Sequence, residues 1–180
     1  MPAAEFTEAA LARVVARLDE DNIEHVVVAT TSGATGVRFA EALADWSGRV
    51  VCVTHHVGFA GGDTDQLEAV HRARLEELGT PIVTAGHALS GVGRSISKAF
   101  GGLSQPEIIA HTLRLLGQGM KVCVEIAVMA ADAGQIPTDR PVIAVGGTGR
   151  GADTAIVLNA SHMNSFFDLR VREILCFPRG

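Results

Sequence analysis

Short runs of β-branched residues alternate along this chain with segments of helical periodicity, and this alternation restricts the fold more than any other feature. The runs are HVVVA (25–29), RVVCVTHH (49–56) and PIVTAGH (81–87), followed by PVIAVGG (141–147), DTAIVL (153–158) and REILCFP (172–178). Runs with few polar interruptions are typical of strands buried on both faces, as in parallel sheets covered by helices. The sequence therefore predicts an α/β fold, a three-layer sandwich with a mostly parallel sheet between helices.

Helices are predicted between these runs from apolar spacing and capping residues. The helical segments are 5–23, 36–46, 65–79 and 104–116. The last begins with a capping box formed by Ser104 and Glu107. The segment KVCVEIAVMAADAG (121–134) alternates like a strand at its start, but its Ala-rich end favours a helix. HALSGVGRSISKAFGG (87–102) is interpreted as a glycine-rich connection.

Length, charge and cysteine content exclude several classes of protein. A chain of 180 residues can bury one full core, so we expect a single domain over residues 1–180. The net charge of −5, without a basic run, argues against a nucleic-acid partner. No apolar stretch approaches the roughly 20 residues that span a bilayer, and no signal peptide is recognisable. We therefore expect a cytoplasmic protein whose three cysteines are buried and reduced; its apolar composition leaves homo-oligomer formation open.

The first predicted strand runs directly into the loop TTSGATG, which is rich in hydroxyl residues and glycine. Free N–H groups and the helix dipole at a helix N-terminus suit an anion. The pattern T-x-S-G-x-T is similar to the phosphate loop of flavodoxins, which holds flavin mononucleotide (FMN). A loop without lysine suits one terminal phosphate rather than a triphosphate, and Arg38, one turn on, adds charge unless it points to solvent. The predicted phosphate-binding residues are Thr30, Thr31, Ser32, Gly33, Ala34, Thr35 and Gly36; the simpler alternative is an ordinary Ser/Thr-capped helix.

Three later loops are predicted at the same edge of the sheet, because the carboxyl ends of parallel strands meet there. These loops are rich in histidine, glycine and hydroxyl residues. Histidine titrates near neutrality, so it suits acid–base chemistry as well as binding. The candidate cofactor-binding residues in these loops are His55, His56, His87, Ser90, Gly91, Gly93, Arg94, Gly147, Thr148, Gly151, Asp153 and Thr154.

Other chemistries have weaker support in the spacing of residues. His55, His87 and Asp153 are zinc-compatible, but no local ligand spacing accompanies them, and no metal site is predicted. Ser90 lacks a nucleophile elbow, and no cysteine lies beside a histidine in the sequence. Glu125 and Asp132 form either a general-base pair or two separate solvated or capping carboxylates. No catalytic residue is assigned.

Several long segments, in order, resemble small stand-alone prokaryotic proteins classed as pyruvate kinase α/β-domain-like. These segments are TTSGATG, VTHHVGF, HALSGVGR, KVCVEIAVMAADAG, GGTGRGADTA and HMNSFFDLR. The resemblance implies the fold of the pyruvate kinase C-terminal domain without the catalytic barrel, and therefore no pyruvate kinase activity. It also implies a phosphate grip at Thr30–Gly36, with pocket walls at the histidine, Ser90–Arg94 and Gly147–Thr154 segments. Some members are associated with FMN, so the resemblance implies a flavoprotein.

One departure from flavodoxins concerns the surface that covers a flavin ring. The chain has no Tyr, and Trp46 lies at the far end of its predicted helix. A flavin must then rest on histidine, Phe59, methionine or aliphatic side chains, with HMNSFF (162–167) as a further source. Three functions stay open: a binding protein for a phosphorylated small molecule, with FMN as the leading candidate; a flavin-dependent oxidoreductase or other enzyme that acts on a phosphorylated metabolite with a histidine acid/base; and an interaction module.

Overall fold

The structure is a computed structural model that describes residues 3–18 and 23–178. One six-stranded sheet forms its centre. The strands are β1 (His25–Ala29), β2 (Arg49–Thr54), β3 (Ile82–Thr84), β4 (Pro141–Gly146), β5 (Thr154–Asn159) and β6 (Arg170–Cys176). Their order is β3-β2-β1-β4-β5-β6. The α/β prediction is confirmed, with all six predicted extended segments present in the sheet.

The sheet is mixed, and mostly parallel as predicted. Strand β1 pairs in parallel with β2 and β4, and β2 pairs in parallel with β3. Strands β4, β5 and β6 are antiparallel neighbours. The reason is the connection between β4 and β5: residues 147–153 form a hairpin, which is too short for the crossover that a parallel pair requires.

Helices flank both faces of this sheet. They are α1 (Ala3–Leu18), α2 (Ala34–Ala42), α3 (Ala69–Glu77), α4 (Gly91–Phe100), α5 (Gln105–Leu113) and α6 (Gln118–Asp132), with 3-10 turns at Arg114–Leu116 and Met163–Asp168. One buried cluster joins α6 to the sheet through residues such as Val27, Ala127 and Ile156. The other joins α1, α2 and α3 to the opposite face, with Val14 and Phe39 at its centre. Among the helices so described, none is both long and apolar enough to cross a membrane.

Most helix predictions are confirmed, with two corrections. The segment that was ambiguous at its start is helix α6, and α5 begins with the predicted Ser104–Glu107 capping box. Helix α3 begins at Ala69, four residues after the predicted start, because Asp65 Oδ1 accepts the Leu67 N–H at 2.9 Å and forms a turn there. The end of the first predicted segment, 19–22, lies outside the described residues.

The glycine-rich connection at 87–102 was predicted wrongly, since it contains helix α4. Val92, Ile96 and Phe100 do recur at helical spacing, but no residue of α4 is buried. Gly91 begins the helix, and Gly93 lies against α5, where an added Cβ would be 2.5 Å from Ser104 Oγ. Helix α4 is therefore a surface helix that follows directly from the loop after β3.

Candidate functional site

A cleft of about 1170 Å³ opens at the carboxyl edge of the parallel strands. This volume exceeds the roughly 300–1,000 Å³ of most small-molecule pockets. The loops after β1, β2, β3 and β4 contribute to its walls, together with α5 and one face of α6 from Gln118 to Met129. The predicted loops therefore meet at one cleft.

More than half of the predicted binding residues lie on the wall of this cleft. They are Thr30, Thr31, Ser32, Ala34, Thr35, His55, His87, Ser90, Arg94, Gly147 and Gly151. The others lie beside or beneath the wall and do not line it: Gly33, Gly36, His56, Gly91, Gly93, Thr148, Asp153 and Thr154. The second group shapes the backbone or supports the loops.

The loop TTSGATG begins helix α2 and faces the cleft. Its fold partly satisfies the helix N-terminus, because the buried Thr30 Oγ1 accepts the Gly36 N–H at 3.2 Å and Ser32 Oγ accepts the Ala34 N–H at 3.4 Å. The Thr35 N–H has no acceptor among the described residues. The Thr30 hydroxyl therefore acts as a cap, while Ser32 and Thr35 line the cleft.

Both glycines of this loop are required by packing. Gly33 has a left-handed φ of +103°, and an added Cβ would lie 2.3 Å from the Cβ of His71. At Gly36, an added Cβ would lie 2.6 Å from Cys52 Sγ. Gly33 therefore allows α2 to lie close to α3, and Gly36 allows α2 to lie close to β2 of the sheet.

Helix α3 and the residue that precedes it hold the loop TTSGATG in place through two hydrogen bonds. The Ser32 carbonyl accepts a hydrogen bond from His71 Nδ1 at 2.9 Å and from the Glu68 N–H at 3.0 Å. Sequence reasoning missed His71, since its helix had only the signal of an ordinary amphipathic segment. His71 thus positions the loop TTSGATG, and this residue also lines the cleft.

Three histidine rings and one phenylalanine ring cluster beside the loop. The ring centroid of His55 lies 4.0 Å from that of Phe59 and 5.1 Å from that of His87. His56 packs edge-on against Phe59 and His87 at 5.7 and 5.5 Å. His55 Nδ1 also pairs with Gln66 Oε1 at 2.8 Å. The histidines predicted at adjacent strand ends are therefore in direct contact.

The pKa of His87, in this cluster, is lowered by its surroundings. Burial is the main cause and lowers the pKa of His87 from 6.5 to about 4. Glu125 acts in the opposite direction, while His55, Lys121 and His56 lower the pKa of His87 further. The His87 imidazole is therefore neutral at pH 7 and can accept or donate a hydrogen bond in the cleft.

Sequence reasoning missed a buried ion pair on the cleft wall. Lys121 and Glu125 lie one turn apart on α6, and their Nζ and Oε2 atoms are hydrogen bonded. Their side chains are 6% and 5% exposed. Glu125 Oε1 also accepts the Leu89 N–H at 3.0 Å. Burial lowers the pKa of Lys121, against the opposing charge of Glu125.

The hairpin between β4 and β5 completes the wall. Asp153 accepts hydrogen bonds from the Thr148 N–H at 2.9 Å and the Thr154 hydroxyl at 2.7 Å. From α1, Thr7 Oγ1 accepts the Ala152 N–H at 3.0 Å. Asp153 and Thr154 therefore fix the shape of the hairpin, and Arg150 at its tip joins the lining.

Several features of the cleft wall attract an anion, although the acidic residues Glu68, Glu107 and Glu125 also line it. The starts of α2, α4 and α6 all contribute residues to its wall, namely Ala34, the N-cap Ser90 and Gln118. Arg94 and Arg150 also line it, and neither forms an ion pair with another residue in the described part of the chain. Helix N-termini and unpaired guanidinium groups both attract negative charge. Arg38 contributes nothing here, because it pairs with Glu8 at 2.6 Å outside the cleft.

Two arrangements considered from the sequence, a Glu125–Asp132 pair and a flavin surface at residues 162–167, are not found at the cleft. Glu125 and Asp132 are not a pair: Glu125 bonds to Lys121, whereas Asp132 lies at the end of α6, where its Oδ1 bonds to His162 Nδ1 at 2.9 Å. The expected flavin surface at residues 162–167 was wrong, because none of them lines the cleft. The antiparallel direction of β5 carries that segment to the other end of the sheet.

Metal-binding and thiol chemistry find little support in the geometry. No group of three or more His, Cys, Asp or Glu side chains suitable for a metal occurs within residues 3–18 and 23–178. Cys52 and Cys123 are free and buried, as predicted, whereas Cys176 is partly exposed. Burial raises the pKa of Cys52 to about 12, so this thiol is unreactive at neutral pH.

Comparison with models of known protein families gives no match for this chain.

Proposed function

We propose that this protein binds a phosphorylated small molecule, with FMN as the leading candidate, and that the loop from Thr30 to Gly36 holds the phosphate. The supporting observation is the shared cleft. The loop opens into the same space as the histidine cluster and two guanidinium groups that have no acidic partner in the described chain. A dianionic phosphate at the start of α2 would meet the Thr35 N–H and nearby hydroxyl donors.

The resemblance to stand-alone pyruvate kinase C-terminal-like proteins supports the same proposal. Five of the six segments that carry this resemblance contribute residues to the cleft, and only HMNSFFDLR does not. Under this proposal the sheet and its helices form a three-layer sandwich of that kind. Under this proposal no pyruvate kinase activity is expected, because the family that the chain resembles lacks the catalytic barrel.

The cleft also has a surface that fits the flavin ring system. Phe59 is 37% exposed and lines the cleft together with His55 and His87. Among the described lining residues, no other Phe, Tyr or Trp is present. Arg94 lies 5.8 Å from the Phe59 ring centroid, so a guanidinium group is available to a polar edge of the ring. Bound FMN would supply hydride or single-electron transfer. The chain's own residues would bind the phosphate, orient the ring and exclude water.

The direct test is the absorbance spectrum of the purified protein. The proposal expects a visible flavin band that denaturation and filtration release as FMN. Apoprotein prepared in this way should recover the band with added FMN, and excess inorganic phosphate should weaken this recovery. A colourless protein that does not take up FMN would contradict the flavin proposal.

A second function, flavin-dependent oxidoreduction or histidine acid–base catalysis on a phosphorylated metabolite, is favoured by one observation. His87 is held neutral in the cleft, beside Lys121 and Glu125, where a general acid or base can act. The test is turnover with NAD(P)H and an electron acceptor. His55, His56 and His87 are each changed to Ala, with His162→Ala as a control on the other end of the sheet.

Turnover that falls at least about tenfold in His87→Ala but not in His162→Ala would support catalysis. Absence of turnover across a broad panel of acceptors would contradict catalysis and favour a binding function without it.

A further inference from the structure

The chain contains two lysines, Lys98 and Lys121, and only Lys121 lies in the cleft. We infer that the Lys121 amine condenses with the carbonyl group of a phosphorylated aldehyde or ketone, whose phosphate is held by the loop Thr30–Gly36. This inference rests on the phosphate-binding part of the proposed function. It goes beyond that function by assigning a covalent step and a substrate class.

The position of Lys121 suits a reactive amine. It occupies the first turns of α6, and its side chain is 6% exposed while its neighbours Gln118 and Val122 also line the cleft. Glu125 is its hydrogen-bond partner in the described structure. An ammonium group has three donors, so two directions from Nζ remain for a bound molecule.

A purely structural role explains this pair poorly. Breaking a buried ion pair is costly, but the pair itself contributes little net stability compared with apolar side chains. The order Lys121 then Glu125 along the helix is also the less favourable one for the helix dipole. Elsewhere the chain uses arginine almost exclusively as its basic residue, with 13 of its 15 basic positions occupied by Arg. Lysine differs from arginine in that it can lose its proton and act as a nucleophile.

Glu125 supplies the proton transfers that the step requires. A proton passes from the Lys121 ammonium to the Glu125 carboxylate, which replaces two buried charges with two neutral groups. The Nζ lone pair then forms a C–N bond to the carbonyl carbon. The carbonyl oxygen leaves as water, taking up two protons that originate on the amine, and a C=N bond remains. The step consumes no oxidant or reductant.

The carboxylate is held in place for this transfer. Glu125 Oε1 accepts the Leu89 N–H at 3.0 Å, so Oε2 remains directed to Lys121. The loop that carries Leu89 also carries His87, whose neutral ring adds no positive charge at pH 7. Glu125 is therefore a proton-transfer residue, and Leu89 acts as a positioning residue through its backbone.

The experiment is reductive trapping on the full chain. Protein is incubated with glyceraldehyde 3-phosphate and sodium cyanoborohydride, and modified amines are located by peptide mass spectrometry. Glyceraldehyde, which lacks the phosphate, is the matched probe, while Lys98→Arg and Lys121→Arg are the matched variants. Because mapping on the wild-type protein already separates the two lysines, the result does not depend on folding of Lys121→Arg.

The inference expects Lys121 to be modified at least about tenfold faster by the phosphorylated aldehyde than by glyceraldehyde, since the bound phosphate holds the carbonyl near the amine. Excess inorganic phosphate should slow the modification, and Lys98→Arg should leave it unchanged. Modification confined to Lys98 or the N-terminal amine would overturn the inference. Equal modification of Lys121 by both aldehydes would also overturn it, because the phosphate would then play no part.

FMN binding is measured on the same preparation, so the two proposals can fail separately. FMN binding without modification of Lys121 overturns the imine inference and leaves the proposed function standing. Absence of both FMN binding and competition by phosphate contradicts the proposed function, and the imine inference with it.

Discussion

Glu125 Oε1 accepts a hydrogen bond from the backbone N–H of Leu89 at 3.0 Å, in the buried wall of the cleft. This bond joins α6 to the loop after β3, and that loop carries His87 and Ser90 into the site. The same carboxylate pairs with Lys121 through its other oxygen. One side chain therefore fixes the relative position of a histidine and an amine that reach the cleft from distant parts of the sequence.

Removing this carboxylate should destabilise the fold strongly. In Glu125→Ala, a buried ammonium loses its partner and the Leu89 N–H loses its acceptor, so we expect a loss of about 3–5 kcal/mol in the free energy of unfolding. Lys121→Met with Glu125→Gln removes both charges but keeps an acceptor for Leu89. This double variant should lie within about 1–2 kcal/mol of wild type by urea denaturation. If Glu125→Ala were as stable as wild type, this would contradict the structural role of the buried Glu125 carboxylate.

Replacement of Gly33 should affect the fold, whether or not a ligand is present. Gly33→Ala forces a left-handed φ of +103° on a residue with a Cβ, which would also lie 2.3 Å from His71 Cβ. We expect a loss of at least about 1–3 kcal/mol. Gly86→Ala is the control, since its added Cβ meets open space at an ordinary φ, and its stability should stay the same or rise by up to about 1 kcal/mol. Equal effects of the two changes would contradict the packing role of Gly33.

A charge at Thr35 should separate ligand binding from folding. Helix α2 has no acidic residue in its first turn, so Thr35→Glu favours its dipole by about 0.3–1 kcal/mol. The new carboxylate faces the cleft and repels a phosphate, so FMN affinity should fall at least about tenfold. Ala9→Glu adds the same charge at an exposed position of α1 and should leave affinity unchanged. Equal affinities of the two variants in a fluorescence titration would contradict the placement of the phosphate.

The depressed pKa of His87 predicts a loss of stability in acid. The unfolded chain takes up a proton near pH 6.5, whereas the folded chain does so only near pH 4. The contribution of His87 to stability is therefore complete above pH 6.5 and is lost as the pH falls from 6.5 to 4. The free energy of unfolding falls by at most about 1.4 kcal/mol per pH unit. Solvent screening reduces this loss, because the His87 ring is only partly buried.

The measurement compares wild type with His87→Gln by denaturation across this range of pH. The pKa of His25 is also lowered by burial, and its contribution is the same in both proteins. The wild type should lose more stability than the variant between pH 6.5 and pH 4, and the His87 ring signals in NMR spectra should titrate near pH 4. Parallel curves and a midpoint near 6.5 would contradict this account.

The sequence predicted the sheet and the position of the cleft because both depend on local patterns. Buried strands need β-branched residues such as Val26 and Val51, and parallel strands bring their following loops to one edge. Helix α4 was missed because Gly91 and Gly93 disfavour a helix, although Val92 and Phe100 have helical spacing. The direction of β5 was not specified, since it depends on the length of a loop rather than on the residues of the strand.

The interior chemistry of the site was harder to predict, because it depends on contacts between residues distant in sequence. Lys121 and Glu125 have the spacing of an ordinary exposed helical pair, and only the packing of α6 against the sheet makes them buried. His71 contacts a carbonyl 39 residues away. The structural role of Asp153 was also missed, because its hydrogen bond with the Thr148 N–H depends on the fold of the hairpin.

The most direct test of the phosphate-binding claim is a fluorescence titration of apoprotein with FMN and with riboflavin, which differ only in the phosphate group. Charge-assisted hydrogen bonds to the phosphate predict that FMN binds at least about tenfold more tightly than riboflavin, with the difference reduced by excess inorganic phosphate. Riboflavin that binds as tightly as FMN, or FMN that does not bind, would contradict the claim.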